Sequence, residues 1–225
     1  RKNMLDYLVE QTSNQVDASI IWLHGLGSNG NDLKSIVNSL QLFDNAKIRF
    51  IFPNAPNINV TVNSNQLMPA WYDILGIELT DRQDNKGISI SEKNISELIH
   101  NEFQKGVPYS RIILAGFSQG CAMALYTGLK FPKKLAGIIA LSGYLPLDDE
   151  FMTKKYDVNL NTPIFFAHGV LDDIVKLEWA KKSAILLENL GYTSIWREYE
   201  IDHSISLEEI DDISTFINET LDGKK

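Results

Sequence analysis

The sequence predicts an α/β fold, a mostly parallel central sheet covered by helices on both faces, and three observations carry that prediction. Short β-branched and apolar runs alternate with segments of helical period, the pattern of βα units wound around one sheet. Several runs, such as Ile112, Ile113, Leu114 and Ala115, are apolar without alternation, as strands buried on both faces must be. At 225 residues, with no internal repeat, low-complexity tract or linker-like change of composition, the chain reads as a single domain over residues 1–225.

The first two strands are expected at residues 19–24 and 48–53. Residues 54–71 carry five asparagines and no sustained period, and so read as a long loop, a feature that in compact domains is often functional. A helix is expected over 91–105, with Ile95, Leu98, Ile99 and Phe103 on one face, a capping-box-like Ser89 and Glu92 before it and Gly106 after it. A strand at 111–117 runs into a helix over 121–130, and further strands are expected at 135–141, 163–168 and 194–199. Residues 177–190 read as a helix stopped by Gly191. Ser206 and Glu209 open a closing helix whose stripe is Ile210, Ile213, Phe216 and Ile217.

The motif Gly116-Phe117-Ser118-Gln119-Gly120 lies between an apolar strand and a helix, the context of a nucleophile elbow. Glycines two before and two after Ser118 let strand and helix approach while the turn lifts the hydroxyl above the sheet. A serine hydroxyl is a weak nucleophile at neutral pH, so it needs a base and a group that holds the base in one tautomer. His203, between the last strand and the last helix, is the candidate base; His100 lies on an amphipathic helix, and His24 and His168 each end a strand before glycine. Asp172, just past the strand at 163–168, is the candidate orienting acid, with Asp173 its immediate rival and a helix-capping role open to either. Two backbone N–H groups should face the oxyanion: that of Gln119, at a helix start, and that of Leu26 in His24-Gly25-Leu26-Gly27. Ser142 ends a strand without an elbow and reads as structural, and Cys121 reads as a small core residue.

The chain resembles the phospholipase/carboxylesterase family, which includes acyl-protein thioesterases, lysophospholipases and bacterial carboxylesterases. The resemblance runs through Leu23–Gly27, Pro53–Pro56, Met68–Asp73, Arg111–Gly120, Leu135–Gly137, Ser142–Pro146 and His168–Val175. It implies the α/β-hydrolase fold without a large lid domain, the triad Ser118, Asp172 and His203, and oxyanion donors at Leu26 and Gln119. One departure is visible: Cys121 stands where the family commonly has a second glycine after the elbow. Without a lid, the acyl site should be an open groove. Leu67, Met68, Trp71, Leu75 and Tyr144 are its expected walls, together with Leu26, Ile58, Val60 and Val62.

The expected activity is serine-dependent cleavage of carboxylic esters or thioesters through an acyl-enzyme on Ser118, without metal or organic cofactor. The expected substrates are a small acyl ester, a lysophospholipid or an acylated protein. A peptidase or triglyceride lipase is disfavoured by the small domain without a cap, and a non-catalytic binding protein by the complete triad. The net charge of −8 argues against a nucleic-acid partner. Cys121 is the only cysteine, so no intramolecular disulfide or CxxC-type metal site is expected. No apolar run reaches the roughly 18 to 20 residues that span a bilayer, and no signal-peptide core opens the chain, so a soluble cytoplasmic protein is expected. Bilayer contact through the 57–70 loop and pairing into a homodimer over the groove's apolar rim are further expectations.

Overall fold

The computed structural model describes residues 5–78 and 81–222. In chain order its elements are β1 (Tyr7–Gln11), β2 (Ala18–Leu23), α1 (Gly30–Lys34), β3 (Ile48–Pro53), β4 (Asn57–Val60), β5 (Gln66–Pro69), α2 (Asn85–Gln104), β6 (Ile112–Phe117), α3 (Gln119–Lys130), β7 (Gly137–Leu141), α4 (Asp148–Thr153), β8 (Ile164–Gly169), α5 (Leu177–Asn189), β9 (Ser194–Tyr199) and α6 (Leu207–Leu221). The main sheet runs β1-β3-β2-β6-β7-β8-β9, every pairing parallel except β1 on β3.

Because alternate residues of a strand point to opposite faces, the apolar strands feed two separate cores. Ile21, Leu23, Leu114 and Ala140 pack beneath Ile95, Leu98 and Ile99 of α2, the apolar face of α3, and Leu187 of α5. Ile20, Trp22, Ala115 and Leu141 pack with Leu33 of α1 and Ile213, Phe216 and Ile217 of α6. The carboxyl ends of β2, β6, β8 and β9 thus share one edge of the sheet, where parallel α/β folds place their loops.

The structure corrects several boundaries. α2 starts at Asn85, capped by Asp84 accepting from the Gly87 N–H, rather than at residue 91 behind Ser89. Gly87 and the β-branched Ile88 and Ile90 obscure this in the sequence, yet burial of Ile88 repays the extra turns. Phe103 is 45% exposed and stacks on Tyr109, while Glu102 takes the inward position, where Ser19, Arg49 and Lys105 satisfy its carboxylate. Residues 54–71 are not a plain loop: β4 and β5 form an antiparallel hairpin whose Asn59 and Leu67 face each other. Its positive-φ residues Ser64 and Asn65 make the turn, so asparagine there is turn chemistry. At α6, Ser206 caps the Glu209 N–H. The Glu209 carboxyl is buried beside the Ser206 backbone, and desolvation raises its pKa to about 7.

Candidate active site

The turn between β6 and α3 is built by three constraints. Ser118 has φ 55° and ψ −119°, a conformation that costs a non-glycine residue on the order of 1–3 kcal/mol. Its N–H donates to the Leu141 carbonyl at 2.9 Å and its own carbonyl accepts the first bond of α3 from Ala122 at 3.1 Å. Both glycines are obligatory. A Cβ on Gly116 would lie 2.0 Å from the Gly120 carbonyl oxygen, and one on Gly120 would lie 2.1 Å from that of Leu23.

Two loops deliver the remaining groups. His203, in the segment from β9 to α6, places Nε2 2.9 Å from Ser118 Oγ and Nδ1 2.6 Å from Asp172 Oδ2. Phe117 lies against its ring, with centroids 4.9 Å apart. Asp172, 8% exposed, spends its other oxygen on the N–H groups of Ile174 and Val175, at 2.9 and 2.8 Å. Asp172 therefore closes the turn before α5 and does not cap that helix, whose N-cap residue is Lys176. Asp173 is exposed. His168, buried below, lies 2.7 Å from the Val175 carbonyl and 3.4 Å from Asp172 Oδ2, and burial lowers its pKa. Gly169 lets the histidine loop close over β8, since a Cβ there would meet the Ile201 and Asp202 carbonyl oxygens at 2.3 and 2.4 Å.

The turn after β2 passes against the serine: a Cβ on Gly25 would lie 3.3 Å from Ser118 Cβ. Gly27, at φ 73°, donates to the Pro69 carbonyl at 2.8 Å, tying this turn to the hairpin. Gln119 is 6% exposed; its side chain accepts from the Trp71 N–H and donates to the Tyr72 carbonyl, while its backbone opens α3. Leu26 and Gln119 border the same cavity as Ser118.

That cavity, about 180 Å³, is walled by Tyr72, Tyr144, Trp179 and Val175, with Val62, Ile74, Ile77 and Ile174 toward its mouth. Of the expected groove residues, Leu26, Val62 and Tyr144 line it. Trp71 does not; it is buried, with Nε1 bonded to the His24 carbonyl. Val60 is buried too, and Leu67 is 68% exposed. Ile58 and Met68 face each other in the hairpin, Met68 beside Gly27, outside the lining. Leu75 borders a neighbouring cleft of about 20 Å³. The walls that sequence reasoning missed are Tyr72, Ile174 and Val175, which lie in recognised motifs that gave them no such role, and Ile74, Ile77 and Trp179, which no motif marks. Trp179 meets Tyr144 edge-on at 5.9 Å.

Cys121 is buried directly behind the serine, where desolvation raises its pKa. It presses on Gly143, whose Cβ, if present, would lie 2.6 Å from Cys121 Cβ. Ser142 also has positive φ and is 1% exposed, with no partner for its hydroxyl. Among the described residues no cluster of His, Cys, Asp and Glu could hold a metal ion, and no helix is long and apolar enough to cross a membrane.

Comparison with known proteins identifies the family of the chain. The Phospholipase/Carboxylesterase family pattern matches residues 5–221. Acyl-protein thioesterase 1 of Gibberella zeae is 39% identical over 228 residues, covering 96% of this chain and 96% of that protein. That of Schizosaccharomyces pombe is 42% identical over 193 residues, covering 85% of each. The crystal structure of Arabidopsis thaliana SOBER1 superposes with a TM-score of 0.85 at 29% identity, over 91% of this chain and 99% of that one.

Proposed function

Since this chain belongs to the phospholipase/carboxylesterase family and is a serine hydrolase of esters and thioesters, we propose that Ser118, His203 and Asp172 perform the hydrolysis, on the acyl group of a lipidated protein or lysophospholipid. The observation that carries this reading is the unbroken chain from Asp172 through His203 to Ser118, opening on an apolar cavity. Ser118 attacks the acyl carbonyl while His203 Nε2 takes its proton, and Asp172 holds the resulting imidazolium. The N–H groups of Leu26 and Gln119 receive the oxyanion. The tetrahedral species expels the alcohol or thiol, protonated by His203, and water then releases the acyl group by the same steps in reverse roles.

The acyl chain runs between Tyr144, Trp179 and Ile174. The exposed Ile77 and Ile174 at the cavity mouth, with Leu67 on the hairpin, support a further reading in which this face rests on a bilayer that presents lipidated substrate. Pairing of two copies over the same rim is the competing use. The unit acts as one domain in a cytoplasmic setting, consistent with a lone, buried thiol.

The test is kcat/KM for matched oxygen esters and thioesters from acetyl to palmitoyl, with Ser118→Ala as blank. Turnover that rises with chain length on thioesters supports the reading. A peak at short oxygen esters overturns the lipidated substrate, and turnover equal to the blank overturns the site.

A further inference from the structure

Among the buried titratable groups near the nucleophile that the mechanism does not use is His24. It directly follows β2, is fully buried, and sits beside the turn that supplies Leu26. Its Nε2 lies 3.0 Å from the Ala55 nitrogen and its Nδ1 lies 2.7 Å from the Gly25 carbonyl oxygen. A backbone N–H can only donate, so Nε2 must be the acceptor and the ring proton must sit on Nδ1, pointed at Gly25 O. Burial favours this neutral form by lowering the pKa of the ring.

The Gly25 carbonyl belongs to the same planar peptide unit as the Leu26 N–H, and in a trans peptide the two point in opposite directions. Fixing the carbonyl therefore fixes the aim of the N–H. At Gln119 the corresponding carbonyl, that of Ser118, is held by the first bond of α3. The Leu26 peptide begins no helix and comes after a glycine, the residue with most backbone freedom. Its carbonyl is held by the His24 ring and, more loosely at 3.2 Å, by the Ser28 N–H.

We propose that His24 is a positioning residue whose Nδ1–H, bonded to the Gly25 carbonyl, aims the Leu26 N–H at the oxyanion. The inference rests on the reading of the Leu26 N–H as an oxyanion donor. Ala55 sets the tautomer from one side. Trp71 steadies the ring from another, with centroids 5.3 Å apart and Nε1 bonded to the His24 carbonyl.

The experiment compares His24→Asn, His24→Gln and His24→Leu with the wild type in kcat, KM and thermal midpoint. Asparagine can place an amide N–H where Nδ1–H was but offers nothing to Ala55. Glutamine reaches toward Ala55 without a donor for Gly25, and leucine does neither. The expected result is a kcat about 10²-fold lower in the Gln and Leu variants, the scale of one lost oxyanion donor, with KM nearly unchanged and with Asn recovering most of the loss. Equal kcat in all three variants, or losses that simply track the thermal midpoint, would overturn the assignment. Should the variants fail to fold, proton–nitrogen correlation spectra of the wild-type ring decide it: a proton on Nδ1 is expected, and one on Nε2 overturns it. Turnover by Ser118→Ala equal to wild type would instead sink the site reading beneath it, an outcome separate from any ranking of the His24 variants.

Discussion

Two serines stand side by side at the carboxyl edge of the sheet, and only one of them faces a base. Ser118 comes after β6 and Ser142 after β7; both have positive φ, at 55° and 52°, and both donate their N–H to the next strand at 2.9 Å. Backbone strain is therefore common to both and cannot be what makes a nucleophile. The difference lies in the residues next in the chain. After Ser118 the chain enters a 12-residue helix whose first N–H groups remain free, and the hydroxyl meets His203. After Ser142 comes Gly143, pressed against Cys121, and the hydroxyl is sealed without a partner. Strain is a place where function can be put; access and a base put it there.

The largest expected effect breaks the comparison outright. Ser118→Ala should lower kcat by about 10⁴ to 10⁶-fold, the scale of a lost triad nucleophile, whereas Ser142→Ala should leave kcat within about twofold. Comparable losses at both positions, measured on one thioester, would mean that the two turns are not distinct in function.

Next comes the acid. Asp172→Asn should cost about 10⁴-fold in kcat by removing the carboxylate that fixes the His203 tautomer, and Asp173→Asn should change little. Steady-state kinetics of the pair distinguishes them, and the reverse order would move the acid by one residue.

The glycines sharpen the comparison through stability. Gly120→Ala drives a Cβ onto the Leu23 carbonyl and should destabilise by about 3 kcal/mol, read from the denaturation midpoint. Gly143→Ala meets mainly the Cys121 side chain, so Cys121→Gly should recover part of its loss, with a coupling of about 1 kcal/mol in a double-mutant cycle. Additive effects would show that the two turns do not press on each other.

The smallest effect concerns Ser142 alone. Its buried hydroxyl has no partner, so Ser142→Ala should be neutral or stabilising by up to about 1 kcal/mol. A clear loss in thermal midpoint would reveal a hydrogen bond that the turn requires.

Much of the fold is legible in the order of residues alone. The strand at Ile48–Pro53 falls where its apolar run places it, because a strand almost wholly buried leaves an unbroken record in composition. The edge strand Ser194–Tyr199 also has its expected bounds, although only Tyr199 in it is buried. The elbow is legible because its glycines answer a clash of backbone with backbone, which does not depend on distant residues. β1 is not: five residues, none of them fully buried, carry little pattern, and only the presence of β3 makes them an edge strand. The hairpin of β4 and β5 escapes for the same reason.

By itself, the sequence determined the order of the βα units, the strand–turn–helix at Ser118 and the residue types that the proposed site requires around it. Those features rest on local geometry and on the period of apolar residues. Only the tertiary structure decided which carboxylate of Asp172 and Asp173 reaches His203, which way the His24 proton points, and that Tyr72, Trp179 and Ile174 join Tyr144 around the cavity while Leu67 and Trp71 do not. Each of these depends on side chains brought together across the sheet from far apart in the chain, and no spacing along a sequence records such distances.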